Sequence, residues 1–239
     1  MAEVIIIGEK PYTHLPFNNI IDKFEENCRC NFGLPNQNNG TKYDKLGLCN
    51  HLYHYLIIEQ NLDGTPRDRD TFLKTYGKTN EEKFLSYYYD SFFKEHKSKY
   101  KEIFHAQHKA SVCNKMLVEW GCPYRFSNIP RTGQTIIFEN LLKKNKVFVA
   151  FFSLMYDKVK VSRHTRQEFM NAHPLSTPYH CGEEESNILA WLHEKELVDA
   201  TLCMLEDEEV PTLNCKDLKP SKFILNLLRE EFDDVIEII

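Results

Sequence analysis

The sequence predicts an α/β fold: a single Rossmann-like domain with a mostly parallel sheet flanked by helices. Two features carry this prediction. Strand-length apolar runs alternate along the chain with stretches of helical period, the pattern of a parallel sheet with helices on both faces. The chain has 239 residues, 42% of them hydrophobic and 13% aromatic, enough to offset the entropy of ordering one large domain spanning residues 1–239. No internal repeat or low-complexity tract divides it.

The elements follow in order. Val4 to Ile7 are four consecutive β-formers, and Gly8-Glu9-Lys10-Pro11 follows at once, which reads as a buried strand breaking into a loop. Ile20, Ile21 and Phe24 give residues 19–26 a short helical face, residues 28–32 read as a second strand, and the Asn- and Gly-rich stretch 33–41 as a loop. A short third strand covers 46–48. Helical period then runs through 80–120, with Phe84, Tyr87, Tyr88, Phe92, Phe93, Ile103, Phe104, Met116 and Leu117 as its apolar positions. A strand-loop-helix unit begins near Tyr124, and Thr132-Gly133 opens its helix through Leu142. Residues 147–153 form the most strand-like segment. A polar, basic flap spans 156–180, then come a helix over 182–194, a strand over 200–205 and a closing acidic helix over 219–239.

Charge and cysteine usage bound the setting. Thirty Lys and Arg against 35 Asp and Glu give a net charge of −5, which repels nucleic acid and anionic membranes, so an anionic ligand needs a local site. The eight cysteines are scattered without C-x-x-C pairs, and buried reduced thiols are expected. No apolar run approaches the ~20 residues of a membrane-spanning helix, and Met1-Ala2-Glu3 lacks the basic start of a secretory signal. A cytoplasmic protein is expected, with at most peripheral association at the inner face of the membrane and a homo-oligomer as an option.

In open parallel sheets, ligands bind beyond the carboxyl ends of the strands. That rule selects residues 8–12, 31–33, Asn50, residues 131–133 and Tyr156, each placed just after a predicted strand. The same positions resemble the bacterial sialyltransferases of glycosyltransferase family 42. The likeness runs from Val4 to Leu205: a Gly-x-x-Pro loop at Gly8-Glu9-Lys10-Pro11, then Arg29-Cys30-Asn31, Asn50, Thr132-Gly133, Tyr156 and His180.

The resemblance implies inverting, metal-independent transfer of sialic acid from CMP-sialic acid to a glycan hydroxyl, with no cofactor beyond the nucleotide-sugar donor. It further implies that Gly8, Asn31, Asn50, Thr132 and Gly133 line the nucleotide pocket. Tyr156 would donate a hydrogen bond to the departing phosphate, and His180 would be the general base. The chemistry asks for such groups: charge builds on the leaving phosphate, a helix N-terminus and neutral donors stabilise it, and an imidazole accepts the proton of the attacking hydroxyl. The flap would close over donor and acceptor and exclude water.

The sequence departs from the family at two places. Glu9 and Lys10 stand where the family has Asn and Gly, and Ser153-Leu154-Met155 replaces a Gly-Ile-Asp run. The second phosphate-binding tyrosine of the flap is not recognisable, and Arg163 or Arg166 would take its place with a full charge. A non-catalytic nucleotide-binding relative is therefore one alternative.

Each of these positions also has a plain reading: His180 as a surface histidine capping the helix behind it, Tyr156 as a packed aromatic, Asn31 and Asn50 as turn residues, Thr132-Gly133 as an ordinary helix start. Asp68-Arg69-Asp70 has the D-x-D spacing of metal-dependent transferases that use UDP- or GDP-sugars, against a solvated loop. His51 with His54, and His105 with His108, are spaced i, i+3, which sets two imidazoles on one helix face and makes zinc conceivable, but no Cys or carboxylate pair completes a recognised site and no metal is expected. Glu183, Glu184 and Glu185 sit in the first turn of their helix, where carboxylates favour the dipole.

Overall fold

The structure is a computed structural model that describes residues 1–8, 17–31, 35–60, 64–66, 94–106, 109–152, 182–205, 212–213, 218–232 and 237–238. Six strands form one all-parallel sheet: β1 (Glu3–Ile7), β2 (Glu26–Cys30), β3 (Lys45–Leu48), β4 (Glu102–His105), β5 (Lys146–Ala150) and β6 (Val198–Asp199), in the spatial order β4-β3-β2-β1-β5-β6. Helices α1 (Asn18–Ile21), α2 (Asn50–Tyr53), α3 (Ala110–Glu119), α4 (Thr132–Leu142), α5 (Gly182–Glu194), α6 (Thr201–Leu205) and α7 (Lys222–Phe232) connect and cover it. A separate parallel pair joins β7 (Thr212–Leu213) to β8 (Glu237–Ile238).

The pleat of the central strands explains the two cores. Val4 and Ile6 of β1, with Cys28, Cys30, Val147 and Val149, face a layer built from α3, α4 and α5. Ile5 and Ile7, with Phe148 and Ala150, face the opposite layer, where Ile20, Ile21, Leu202, Ile224 and Leu228 pack. Residues 4–7 are wholly buried, so both faces of β1 are covered, which is why the run reads as continuously apolar rather than alternating. Each such Val or Ile contributes about 1.5–3 kcal/mol through burial.

Several expected elements change. The second strand covers Glu26–Cys30 rather than 28–32, and the polar Asn27 and Arg29 within it are buried. The Asn27 backbone N–H donates to Asp44 Oδ2 at 3.0 Å. Arg29, fully buried, donates from Nη2 to the carbonyls of Asn39 and Gly40 at 2.8 and 2.9 Å and from Nη1 to Asn39 Oδ1 at 2.9 Å. Burial lowers its pKa to about 10, and nearby Tyr100 and Asp22 oppose that shift. Ile103 and Phe104, read as helical, lie in β4, paired with Leu46 and Gly47 of β3. Two adjacent apolar residues fit either period, and strand pairing decides between them.

No strand forms near Tyr124, so Thr132-Gly133 does not follow a strand directly but is reached from β4 through α3 and an irregular segment. The strand expected over 147–153 ends at Ala150, where Phe151 takes a left-handed φ of 60°. The segment 200–205 is helical, not extended: Asp199 Oδ1 accepts the Thr201 N–H at 2.9 Å and starts α6, leaving a strand of two residues before it. The closing helix is shorter than 219–239, and Glu237–Ile238 is a strand. Among the described residues no helix is long and apolar enough to cross a membrane.

Candidate functional site

The sheet order places a switch point between β1 and β5: the chain steps outward from β1 through β2, β3 and β4, then returns to the other side of β1 as β5. In open parallel sheets, ligands bind at such a point, beyond the carboxyl ends of the two strands. Gly8 stands at that point, its N–H donating to Ala150 O at 2.9 Å. A Cβ on Gly8 would lie 2.3 Å from the Phe151 carbonyl oxygen, so close approach of two chain segments requires glycine.

The N-terminus of α4 meets the same rim. Thr132 Oγ1 donates to Asn31 Oδ1 at 3.3 Å, and the same oxygen accepts the Cys49 N–H at 2.9 Å. Asn31 holds a φ of 44°, a region that Asn tolerates better than most residues, and its own N–H donates to Gly47 O at 2.8 Å. One side chain thus joins the ends of β2 and β3 to the start of α4. Asn50 begins α2 directly after Cys49, half-buried on the same rim.

Phe152 fills the space between the two glycines. A Cβ on Gly133 would meet its ring at 2.5 and 2.7 Å, and one on Gly8 would meet it at 2.9 Å. The left-handed turn at Phe151 sends the two aromatic neighbours to opposite layers: Phe151 joins one core, while Phe152 packs against the other.

Electrostatics at the α4 start come from the backbone and one ion pair. The N–H groups of Thr132, Gly133 and Gln134 precede the first intrahelical bond, from Thr135 N to Arg131 O, and an 11-residue helix places a partial positive charge there. Arg131 is held by Glu185 of α5, which accepts its backbone N–H at 2.7 Å and its Nη1 at 2.8 Å. Burial raises the pKa of Glu185, and Arg131 opposes that rise. Glu184 Oε2 accepts the Ser127 N–H at 2.9 Å, so the first turn of α5 fastens the segment leading into α4. These carboxylates therefore do more than favour their own helix dipole.

Of the sequence-predicted site residues, Gly8, Asn31, Asn50, Thr132 and Gly133 share one rim. Tyr156, Arg163 and His180 lie outside the described residues, as do Glu9, Lys10, Gly33, Leu154, Asp68 and Asp70. Sequence reasoning missed Phe152 and the role of Glu185. The pair Phe151-Phe152 at the end of an apolar run was the available signal for the first. Glu185 was one of three consecutive glutamates, and only its contact with Arg131 distinguishes it.

Such a rim can bind a phosphate by backbone N–H groups and a helix dipole without a dedicated cation. Comparison with protein-family models gives no match, and comparison with curated proteins gives none.

Proposed function

We propose that the chain is a glycosyltransferase that moves sialic acid from CMP-sialic acid to a glycan hydroxyl with inversion and without a catalytic metal. One observation carries this reading: Gly8, Asn31 and the N-terminus of α4 converge at the switch point of a parallel sheet, where a nucleotide phosphate is best held. The motif likeness to the sialyltransferases gives the donor its identity. Fold alone supplies no chemistry.

In this reading the bond between the anomeric carbon and the phosphate oxygen breaks as the acceptor oxygen attacks from the opposite face. The electron pair leaves on the CMP phosphate, where the Thr132, Gly133 and Gln134 N–H groups and the Tyr156 hydroxyl stabilise it. His180 takes the acceptor proton. Its place in the chain supports that role, since α5 begins two residues later and its first turn is bound to the segment entering α4.

Calorimetry with CMP, UMP, GMP and AMP, followed by a transfer assay with CMP-sialic acid and a panel of galactosides, tests the proposal. The expected result is selective CMP binding and transfer that His180→Ala slows ~10²- to 10⁴-fold. Activity that requires manganese and is lost in Asp68→Asn and Asp70→Asn would replace it with a metal-dependent transferase. CMP binding without turnover on any acceptor would leave a nucleotide-binding relative.

A further inference from the structure

Helix α4 starts on a residue that cannot cap it. Arg131 takes the N-cap position with φ −64° and ψ 160°, and its side chain makes no capping hydrogen bond. A Ser, Thr, Asp or Asn there would put an oxygen on the N–H of the second or third helical residue, whereas a guanidinium carries donors only. The next side chain along, the Thr132 hydroxyl, is turned to Asn31 instead. The direction of the first N–H groups is therefore set from outside the helix.

Glu185 sets it from α5. Its Oε1 accepts the Arg131 N–H, its Oε2 accepts Arg131 Nη1, and its own backbone carbonyl accepts Gln134 Nε2 at 3.2 Å. One residue thus holds α4 at the position before Thr132 and again at Gln134. Between those two points lie the N–H groups of Thr132, Gly133 and Gln134. Gln134 is 4% exposed and Glu185 6%, so both contacts are shielded from water, where a hydrogen bond is stronger than at a surface.

The placement of Glu185 is not what a helix dipole alone asks for. Glu183, in the same turn, is exposed and serves the dipole from there. Glu185 is turned inward, where a carboxylate is costly to desolvate, and burial raises its pKa against the pull of Arg131.

We propose that Glu185 is a positioning residue for the transfer: by holding Arg131 and Gln134 it aims the Thr132, Gly133 and Gln134 N–H groups at the leaving phosphate, without touching the ligand itself. The inference rests on the transferase reading above and names what orients its phosphate site. Charge on that phosphate grows as the bond to the anomeric carbon breaks, so N–H groups aimed at it act more in the transition state than on the bound donor. Loss of aim therefore lowers kcat more than it raises KM.

The test measures transfer from CMP-sialic acid by the full chain, with CMP affinity from calorimetry. Glu185→Ala should lower kcat at least about tenfold with a smaller change in KM. Glu185→Gln, which retains an acceptor for the Arg131 N–H, should lose less. Leu228→Ala, in the core on the opposite side of the sheet, controls for lost stability and should keep the wild-type kcat. Wild-type turnover together with an unchanged kcat in folded Glu185→Ala overturns this inference and leaves the transferase reading standing. So does a loss that Leu228→Ala reproduces, or one confined to KM. A wild-type chain without turnover overturns both. If Glu185→Ala does not fold, Glu185→Asp decides, because its carboxylate is drawn back by one methylene: a lowered kcat supports the inference and an unchanged one overturns it.

Discussion

Asn31 and Thr132 are 101 residues apart in sequence, yet the Thr132 hydroxyl donates to the Asn31 side-chain oxygen at 3.3 Å. That oxygen also accepts the Cys49 N–H, so one atom fixes the ends of two neighbouring strands and the start of the helix that would face the donor phosphate. Asn31 is therefore a structural tie whatever else it contacts.

Substitution separates its two roles. Asn31→Ala leaves the Cys49 N–H and Thr132 hydroxyl without their acceptor and puts a Cβ-bearing residue without a local hydrogen bond at a φ of 44°. Asn31→Gly removes the tie but suits the backbone. Urea melts should show a loss of about 2–4 kcal/mol for Ala and about 1 kcal/mol less for Gly. Equal losses would mean that the left-handed backbone carries no cost.

The rim was legible where local pattern and tertiary demand agreed. Four apolar residues before Gly8 gave β1, and the Thr132-Gly133 start gave α4 with both its ends in place. Strand β2 was displaced because Asn27 and Arg29 look like surface residues and are buried, Arg29 through carbonyl and amide partners at Asn39 and Gly40 that its sequence position does not reveal. Residues 200–205 looked extended because Asp199 is a cap only once its carboxylate meets the Thr201 N–H.

Gly8 and Gly133 both face Phe152 but should respond differently to a methyl group. In Gly133→Ala the new Cβ meets only the Phe152 ring at its closest contacts, whereas in Gly8→Ala it meets the Phe151 carbonyl at 2.3 Å. Each single variant should cost about 1–3 kcal/mol by overpacking. Combining Gly133→Ala with Phe152→Ala should recover most of the first cost, a coupling of about 1 kcal/mol or more, and Phe152→Ala should not rescue Gly8→Ala. Additive Gly133 and Phe152 effects in denaturant melts would disprove the contact.

Thiol chemistry checks the core. Cys28, Cys30, Cys113, Cys122 and Cys203 are buried thiols. Burial pushes the Cys113 thiol up to about 12 and raises Cys28 and Cys122 as well, so thiolate is scarce at neutral pH. Titration of the native protein with an aromatic disulfide reagent at pH 8 should leave those five unmodified, and denaturation should release all eight. Mass mapping that finds Cys28 or Cys113 labelled in the native state would contradict the packing between the sheet and the layer of α3, α4 and α5.

Glu185 makes the fold sensitive to pH in a direction opposite to that of an ordinary ion-paired carboxylate. Its pKa is raised above 4.5 by burial, against the pull of Arg131, so the folded chain holds this proton more tightly than the unfolded chain. The protonated form's contribution is fully present below pH 4.5 and is lost as pH rises through the folded value. Glu185→Gln keeps an acceptor for the Arg131 N–H and removes the titration. Wild-type stability measured relative to this variant should therefore fall as pH rises above 4.5, and a flat difference would mean that Arg131 offsets the burial completely. Because the same carboxylate fixes the segment entering α4, the pH at which Glu185 ionises should also be the pH above which the Arg131 ion pair orders that helix start.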